Sequence, residues 1–266
     1  RNTAPRPHPA TTAPAPIPTL NLPRERPLLG RADFIALAAK AADAFASGQA
    51  MPQEVADAAG RRFDLVLPVG CAASGDPSLS ATDWSYDKDR GRLQISIPPI
   101  GWKPADWNLD ENAKVDSIEG FWITRPWSSS DACPPAPPTG EAEEPEKPAE
   151  PAATADKEQG TEPLETLAVA QFFTPEGTSS IRRGGRPYSI VARIAPDAFD
   201  ASQGFRLRLT GRIDRVPGGA AAQCVQPAGR DNPPVCIIAT VLDEVRVENT
   251  ATGAVLATWS ANHSSR

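Results

Sequence analysis

The chain has 266 residues and a formal net charge of −6, and this length fits either one large β-rich domain or two small domains. Residues 134–166 hold nine acidic side chains against two lysines, so this tract carries −7 and the rest of the chain sums to +1. A nearly neutral body without a basic stripe excludes a nucleic-acid-binding surface. The sequence has no apolar run of 18 residues, so it predicts no membrane span.

Residues 1–27 are rich in proline, alanine and threonine and include eight prolines. This segment has too few large apolar residues to offset the entropy of ordering, so it is predicted to be a disordered, extended spacer. A spacer of this kind is typical of the region after a removed signal peptide or a membrane anchor, and an anchor upstream of Arg1 is our hypothesis.

Helical spacing of apolar residues follows the spacer. In residues 33–47, Phe34, Leu37, Ala41 and Phe45 fall near one face, with Asp33 able to cap the first turn. A second, short helix is predicted for residues 52–59, since proline suits its first position.

From residue 63 onward the patterns indicate about nine β-strands and little helix. Two hairpins are predicted, one through the polar turn at residues 87–91 and one through the turn at residues 249–253. Together these patterns predict a mainly β fold, an antiparallel sandwich or barrel-like domain with one or two N-terminal helices.

The acidic Pro/Glu-rich tract at residues 134–166 has two interpretations. As a linker, it would separate small domains at residues 28–133 and 167–266; as a disordered loop, it would leave a single β-rich domain at residues 28–266. The loop interpretation is favoured because residues 120–127 and 166–173 can then pair as antiparallel neighbours, and because closing a long loop costs little extra entropy.

Residues 205–213 show the clearest period-two alternation, with Phe205, Leu207, Leu209 and Ile213 on one face and Arg206, Arg208 and Arg212 on the other. The strand at residues 241–248 carries Glu244 and Glu248. Cross-strand ion pairing is the favoured interpretation, and an anion-binding patch on an exposed sheet face is the alternative.

Four cysteines predict disulfides, and the pairing of Cys71 with Cys133 and Cys224 with Cys236 is favoured because each bond then closes a loop within one half of the chain. Disulfides would place the protein in an oxidising compartment, the periplasm or cell surface. Four buried thiols in a reducing compartment are the alternative. The only histidines are His8 and His263, so neither a zinc site nor a Ser-His-Asp triad is predicted.

Five of the six tryptophans lie between residues 84 and 127, among several carboxylates. Such a cluster is either the core of a small β region or a stacking platform for sugars. Trp102 and Trp107 are predicted to be the exposed pair because their surroundings resemble a loop.

The sequence of residues 181–188, IRRGGRPY, is a candidate anion cradle in which main-chain N–H groups would act together with Arg182, Arg183 and Arg186. A tight turn with solvated arginines is the alternative. The chain contains no P-loop, dinucleotide fingerprint or metalloprotease motif, so no cofactor is predicted.

These features predict a non-enzymatic, extracytoplasmic interaction or assembly module of a bacterial cell envelope. Its expected partners are other envelope proteins, and the acidic tract would serve as an arm for a basic partner or as a spacer. The alternative is a carbohydrate-binding or glycoside-cleaving protein that uses the tryptophan cluster and the nearby carboxylates, with glycan as its partner.

Overall fold

The computed structural model describes residues 26–71, 82–135, 165–175, 177 and 181–261, and within them the fold is mainly β with two N-terminal helices. The helices are α1 (Arg31–Ala46) and α2 (Gln53–Ala56). The strands are β1 (Arg62–Val69), β2 (Asp83–Asp87), β3 (Arg92–Ile97), β4 (Ile100–Trp102), β5 (Ser117–Trp122), β6 (Leu167–Phe173), β7 (Tyr188–Arg193), β8 (Phe205–Ile213), β9 (Ala222–Val225), β10 (Val235–Asn249) and β11 (Val255–Ser260).

Two sheets form a sandwich-like arrangement, as the sequence predicts. The larger sheet has the order β1-β8-β10-β6-β5-β4, with β9 and β11 also paired to β10, and the smaller sheet has the order β2-β3-β7. The main core lies between the sheets and under α1, because both sheets and the helix contribute buried side chains to one cluster. Both predicted hairpins, β2–β3 and β10–β11, are confirmed.

Strand β10 organises the larger sheet because its 15 residues pair with four neighbours. Its first part pairs with β9 and, in parallel, with β6, and its second part pairs antiparallel with β8 and β11. The β10–β6 pair is parallel, and the other strand pairs of the two sheets are antiparallel, in agreement with the predicted antiparallel sandwich. A bulge between Leu242 and Glu244 shifts the alternation by one residue, so Leu242 points into the core although simple alternation groups it with Glu244.

Strands β5 and β6 lie on either side of residues 136–164 in the chain and are antiparallel neighbours, from Ser117 opposite Phe173 to Trp122 opposite Ala168. The loop interpretation was based on antiparallel pairing of residues 120–127 with residues 166–173, and the pairing of β5 with β6 confirms it. Most of the predicted spacer and of the predicted acidic loop lies outside the described residues, and the single domain over residues 28–266 stays a prediction.

Helix α1 begins at Arg31, two residues before the predicted start, because the N–H of Gly30 donates to Asp33 Oδ2 at 2.8 Å. Asp33 therefore caps from inside the first turn. The face with Phe34, Ala38 and Ala41 is buried, and the ring of Phe34 meets the ring of Phe63 edge to face at 5.2 Å. Helix α2 is shorter than predicted.

Arg31 fastens the start of α1 to the loop after β5. Its side chain is buried and donates to the carbonyls of Ser128 at 2.9 Å, Arg125 at 3.1 Å and Thr124. Burial, and then the charge of Arg125, lowers the pKa of Arg31 to about 10, so the guanidinium is still charged at neutral pH. The carbonyl oxygens offset part of its desolvation, and they hold the loop that carries Trp127 against the helix.

Both predicted disulfides are confirmed: Cys71 is bonded to Cys133 and Cys224 to Cys236. Bonds of this kind persist in oxidising surroundings, so they indicate an extracytoplasmic compartment. Within the described ranges, neither helix is long and apolar enough to cross a membrane.

Candidate binding surface

The predicted anion cradle at residues 181–188 is filled by the protein's own carboxylate. Glu119 of β5 is buried, and its two carboxylate oxygens accept the N–H of Arg183 at 2.9 Å and the N–H of Gly184 at 2.8 Å. Two adjacent main-chain N–H groups on one anion form a nest, the geometry expected of this sequence. The chain supplies the anion from the neighbouring strand.

The three arginines beside this nest are tied to the protein surface. Arg182 donates to Ser117 Oγ at 3.1 Å, and Arg183 lies over the ring of Tyr188 at 4.8 Å while donating to the carbonyls of Arg186 and Pro187. Arg186 Nε returns a hydrogen bond to the carbonyl of Arg183 at 3.1 Å. These contacts favour the structural interpretation of the loop, and binding of an external anion by these arginines stays a prediction.

Tyr188 lies at the centre of this corner and is buried against Trp259 and Phe121. Burial raises the pKa of its phenol well above the ordinary value, so the phenol is neutral at physiological pH. Its role here is packing and support of the Arg183 guanidinium.

Replacing Glu119 by alanine is expected to lower the free energy of unfolding by about 2–3 kcal/mol, because two partly buried main-chain hydrogen bonds lose their charged acceptor. Glu119→Gln keeps one carbonyl acceptor and is expected to cost roughly half as much. Denaturant unfolding gives the free energies, and hydrogen exchange at the amides of Arg183 and Gly184 locates the effect. Unchanged exchange at both amides in Glu119→Ala would contradict the arrangement.

Within the arginine row of β8, Arg208 is the residue engaged in ion pairs among the described residues. Arg208 Nη1 donates to both carboxylate oxygens of Asp64, at 2.7 and 2.9 Å, and its Nε donates to Glu248 at 3.0 Å. Burial opposes the charge on Arg208, but the two carboxylates outweigh it and raise its pKa. Cross-strand pairing, the favoured interpretation, is confirmed for Arg208, with Glu248 as the predicted acidic partner.

Trp102 and Trp107 belong to a second, smaller core on the outer face of β5 and β6. Trp107 is 2% exposed, so its predicted exposure is wrong. The reason is that short 3-10 helices at Pro104–Trp107 and Glu111–Ala113 fold the supposed loop back over the sheet. Trp102 is half-buried and meets Trp107 edge to face at 6.0 Å and Trp122 at 5.3 Å.

The carboxylates near these tryptophans serve as turn caps. Asp106 accepts the N–H of Lys103 at 2.8 Å, and Asp110 accepts the N–H of Asn112 at 2.9 Å. Asp87 accepts main-chain N–H groups in the β2–β3 turn, where the hydrogen bond from Arg90 lowers its pKa. In the described part of the chain, no three His, Cys, Asp or Glu side chains form a group that could hold a metal ion.

Trp127, by contrast, is 70% exposed. The other five tryptophans all pack within or against one of the two cores. Trp127 forms one wall of an open groove of about 320 Å³, a size in the range of ligand sites. The groove is lined by α1, by the loop after β5, by the start of β6 and by the start of β10 with the residues before it. The lining residues are Ile35, Ala38, Ala39 and Ala42 of α1, Pro126 and Trp127 of the loop, Thr166 and Leu167 at β6, and Pro233, Pro234 and Cys236 at β10.

Rigid elements hold this groove, which we call the Trp127 groove. Its floor is the parallel pair of β6 and β10, where Leu167 lies opposite Cys236, and the disulfide to Cys224 joins that floor to β9. Its two sides are joined by Arg31, through the hydrogen bonds that hold the loop after β5 against α1. The groove is therefore preformed.

The lining determines which ligands suit the groove. Among the described residues of the lining, Thr166 supplies the only hydroxyl, the indole N–H of Trp127 is a second polar group, and no side chain is charged. Sugar binding requires several side-chain hydrogen bonds besides the stacking ring, so this surface suits an apolar ligand better than a glycan. Sequence reasoning placed Trp127 in the aromatic cluster but not at the surface. The available signal was its position just beyond β5, between Pro126 and three serines.

No family model, no curated protein and no solved structure matches this chain.

Proposed function

We propose that this protein is a non-enzymatic interaction module of a bacterial cell envelope, acting in the periplasm or at the cell surface, and that it binds other envelope proteins through the Trp127 groove. The disulfides support an extracytoplasmic setting. The rigid construction of the groove supports binding without a large ordering cost.

One observation carries the proposal: Trp127 is 70% exposed over an apolar groove, while every other tryptophan packs against a core. An exposed indole beside contiguous apolar surface costs solvation free energy in the isolated protein. Tryptophan is also among the residues that most often dominate the binding energy of protein interfaces. A partner that covers Trp127 would recover this free energy.

The alternative function, carbohydrate binding or cleavage, depends on Trp102, which keeps part of its surface exposed at the edge strand β4. Under that hypothesis, addition of glycan shifts tryptophan emission in the wild type but not in Trp102→Ala. Under our proposal, neither protein responds to glycan.

Trp127→Ala is expected to weaken capture of the partner by about 2 kcal/mol, roughly thirtyfold, and to leave unfolding unchanged because the side chain is exposed. The measurement is a crosslinking pull-down from envelope extract, quantified by mass spectrometry. Val191→Ala is the matched control because Val191 is 64% exposed on the other sheet. Equal partner recovery by both variants would overturn the proposal.

A further inference from the structure

We infer that the Trp127 groove binds proline-rich segments in the polyproline II conformation, and that residues 13–23 of this chain, APAPIPTLNLP, are one such ligand. The inference rests on the proposed function because it concerns the same groove, and it specifies the chemical class of ligand that the groove binds. Residues 13–23 lie outside the described residues.

The scarcity of polar groups in the groove selects against an ordinary peptide. A buried main-chain N–H without an acceptor costs free energy, and Thr166 is the only described side chain of the lining that offers a hydroxyl acceptor. Proline has no N–H, and in a polyproline II segment the backbone makes no internal hydrogen bonds and is already extended. A proline-rich ligand therefore avoids most of the cost of entering this groove.

The Trp127 side chain supplies what such a ligand needs. Its ring is a flat apolar surface for a pyrrolidine ring, and aromatic-lined grooves are the usual recognition surface for polyproline II segments. The Trp127 side chain is 70% exposed, so its indole N–H is accessible to a ligand carbonyl. Pro126, Pro233 and Pro234 extend the apolar wall.

Charge distinguishes the two proline-rich segments of the chain. Residues 1–27 and residues 134–166 have eight prolines each, but residues 134–166 carry nine acidic side chains, whereas residues 13–23 within the first segment contain no charged residue. Placing carboxylates in an apolar groove without counter-charges is unfavourable. Residues 13–23 instead offer four prolines together with Ile17, Leu20 and Leu22.

The geometry permits binding within one molecule. Arg31 donates to the carbonyls of Arg125 and Ser128, so α1 begins beside the loop that bears Trp127. Residues 24–28 lie between residues 13–23 and Leu29, which is fixed against β1, and they can span about 17 Å. The groove runs along α1 from Ile35 to Ala42, about 10 Å. A second molecule could supply the same segment.

The test uses the full chain labelled with 5-fluorotryptophan, with the ¹⁹F resonance of Trp127 assigned from Trp127→Phe. The wild type is compared with a variant in which Pro14, Pro16 and Pro18 are serine, outside the described fold. We expect the Trp127 resonance to differ between the two. A synthetic peptide of residues 11–25 should move the variant's resonance toward the wild-type position, whereas the same peptide with the three serines should not.

A matched pair of helix variants localises the effect, because Ala39 lines the groove, whereas Ala36 is exposed on α1 outside the groove and lines a different pocket. Ala39→Glu, made in the three-serine background, should weaken peptide binding at least tenfold, and Ala36→Glu should leave it unchanged. An identical Trp127 resonance in wild type and proline variant, with no response to peptide, would overturn the inference. The Trp127 resonance of the wild type is also measured at several protein concentrations. Binding within one molecule leaves the resonance unchanged on dilution, whereas binding between molecules makes it depend on concentration.

The two proposals fail separately. If capture of envelope proteins depends on Trp127 while the ¹⁹F signal ignores the prolines and the peptide, the inference on residues 13–23 falls and the proposed function stands. If the prolines and peptide move the signal while capture is independent of Trp127, the proposed function falls and the inference stands.

Discussion

Gly120→Ala is expected to lower the free energy of unfolding by at least about 3 kcal/mol, above the usual range for overpacked cores. A Cβ at this position of β5 would lie 2.0 Å from the carbonyl oxygen of Val169 and 2.6 Å from the Cβ of Ala170. Both belong to β6, so main chain rather than a side-chain end would have to move. The pairing of β5 with β6 joins β5 and β4 to the rest of the larger sheet, and we expect this pairing to be disrupted.

Gly101→Ala is the matched control for this change. Gly101 lies in the neighbouring strand β4, opposite Glu119, and a Cβ there meets nothing within 4 Å. Its replacement is expected to change stability by less than about 1 kcal/mol. Denaturant midpoints of the two variants decide the matter, and equal midpoints would show that the sheet accommodates a Cβ at Gly120.

Removal of the Cys71–Cys133 disulfide, with both residues replaced by serine, is expected to cost about 4 kcal/mol. The bond joins positions 62 residues apart, so its loss releases a large loop in the unfolded state. It also lies against Gly204, where a Cβ would be 2.8 Å from Cys133 Sγ, and thereby ties the end of β1 to the loop that follows β5.

The Cys224–Cys236 pair is the internal comparison, with a separation of 12 residues and an expected cost of about 3 kcal/mol. The measurement is equilibrium unfolding of each double-serine variant, with the wild type in reductant as a further reference. A larger loss from the shorter loop than from the longer one would contradict a mechanism based on loop size.

Much of the fold could be predicted because it follows from local rules. The alternation in β8 places Phe205, Leu207 and Leu209 in the core, and a polar turn between apolar runs produced each hairpin. The pairing of β5 with β6 also could be predicted, since both are apolar strands on either side of a tract too polar to pack.

The remaining features depend on contacts that no local pattern contains. The bulge between Leu242 and Glu244 and the parallel pairing of β10 with β6 arise because one strand serves four neighbours. The sequence around Trp107 has the composition of a loop, yet the indole is buried by the sheet beneath it. Trp127 is exposed for the converse reason, since it lies beyond the end of β5 and neither core reaches it.

The central position of β10 has a consequence for folding rate. Strand β1 pairs with β8, so that Arg62 lies opposite Arg212, and β8 in turn pairs with β10, which ends at Asn249. Contacts this distant in sequence are associated with slow folding, on the order of milliseconds to seconds for β-rich domains. The larger sheet cannot be completed until residue 260, the end of β11, has been synthesised. The strands that are synthesised early must therefore remain with unpaired edges, and unpaired edges favour aggregation.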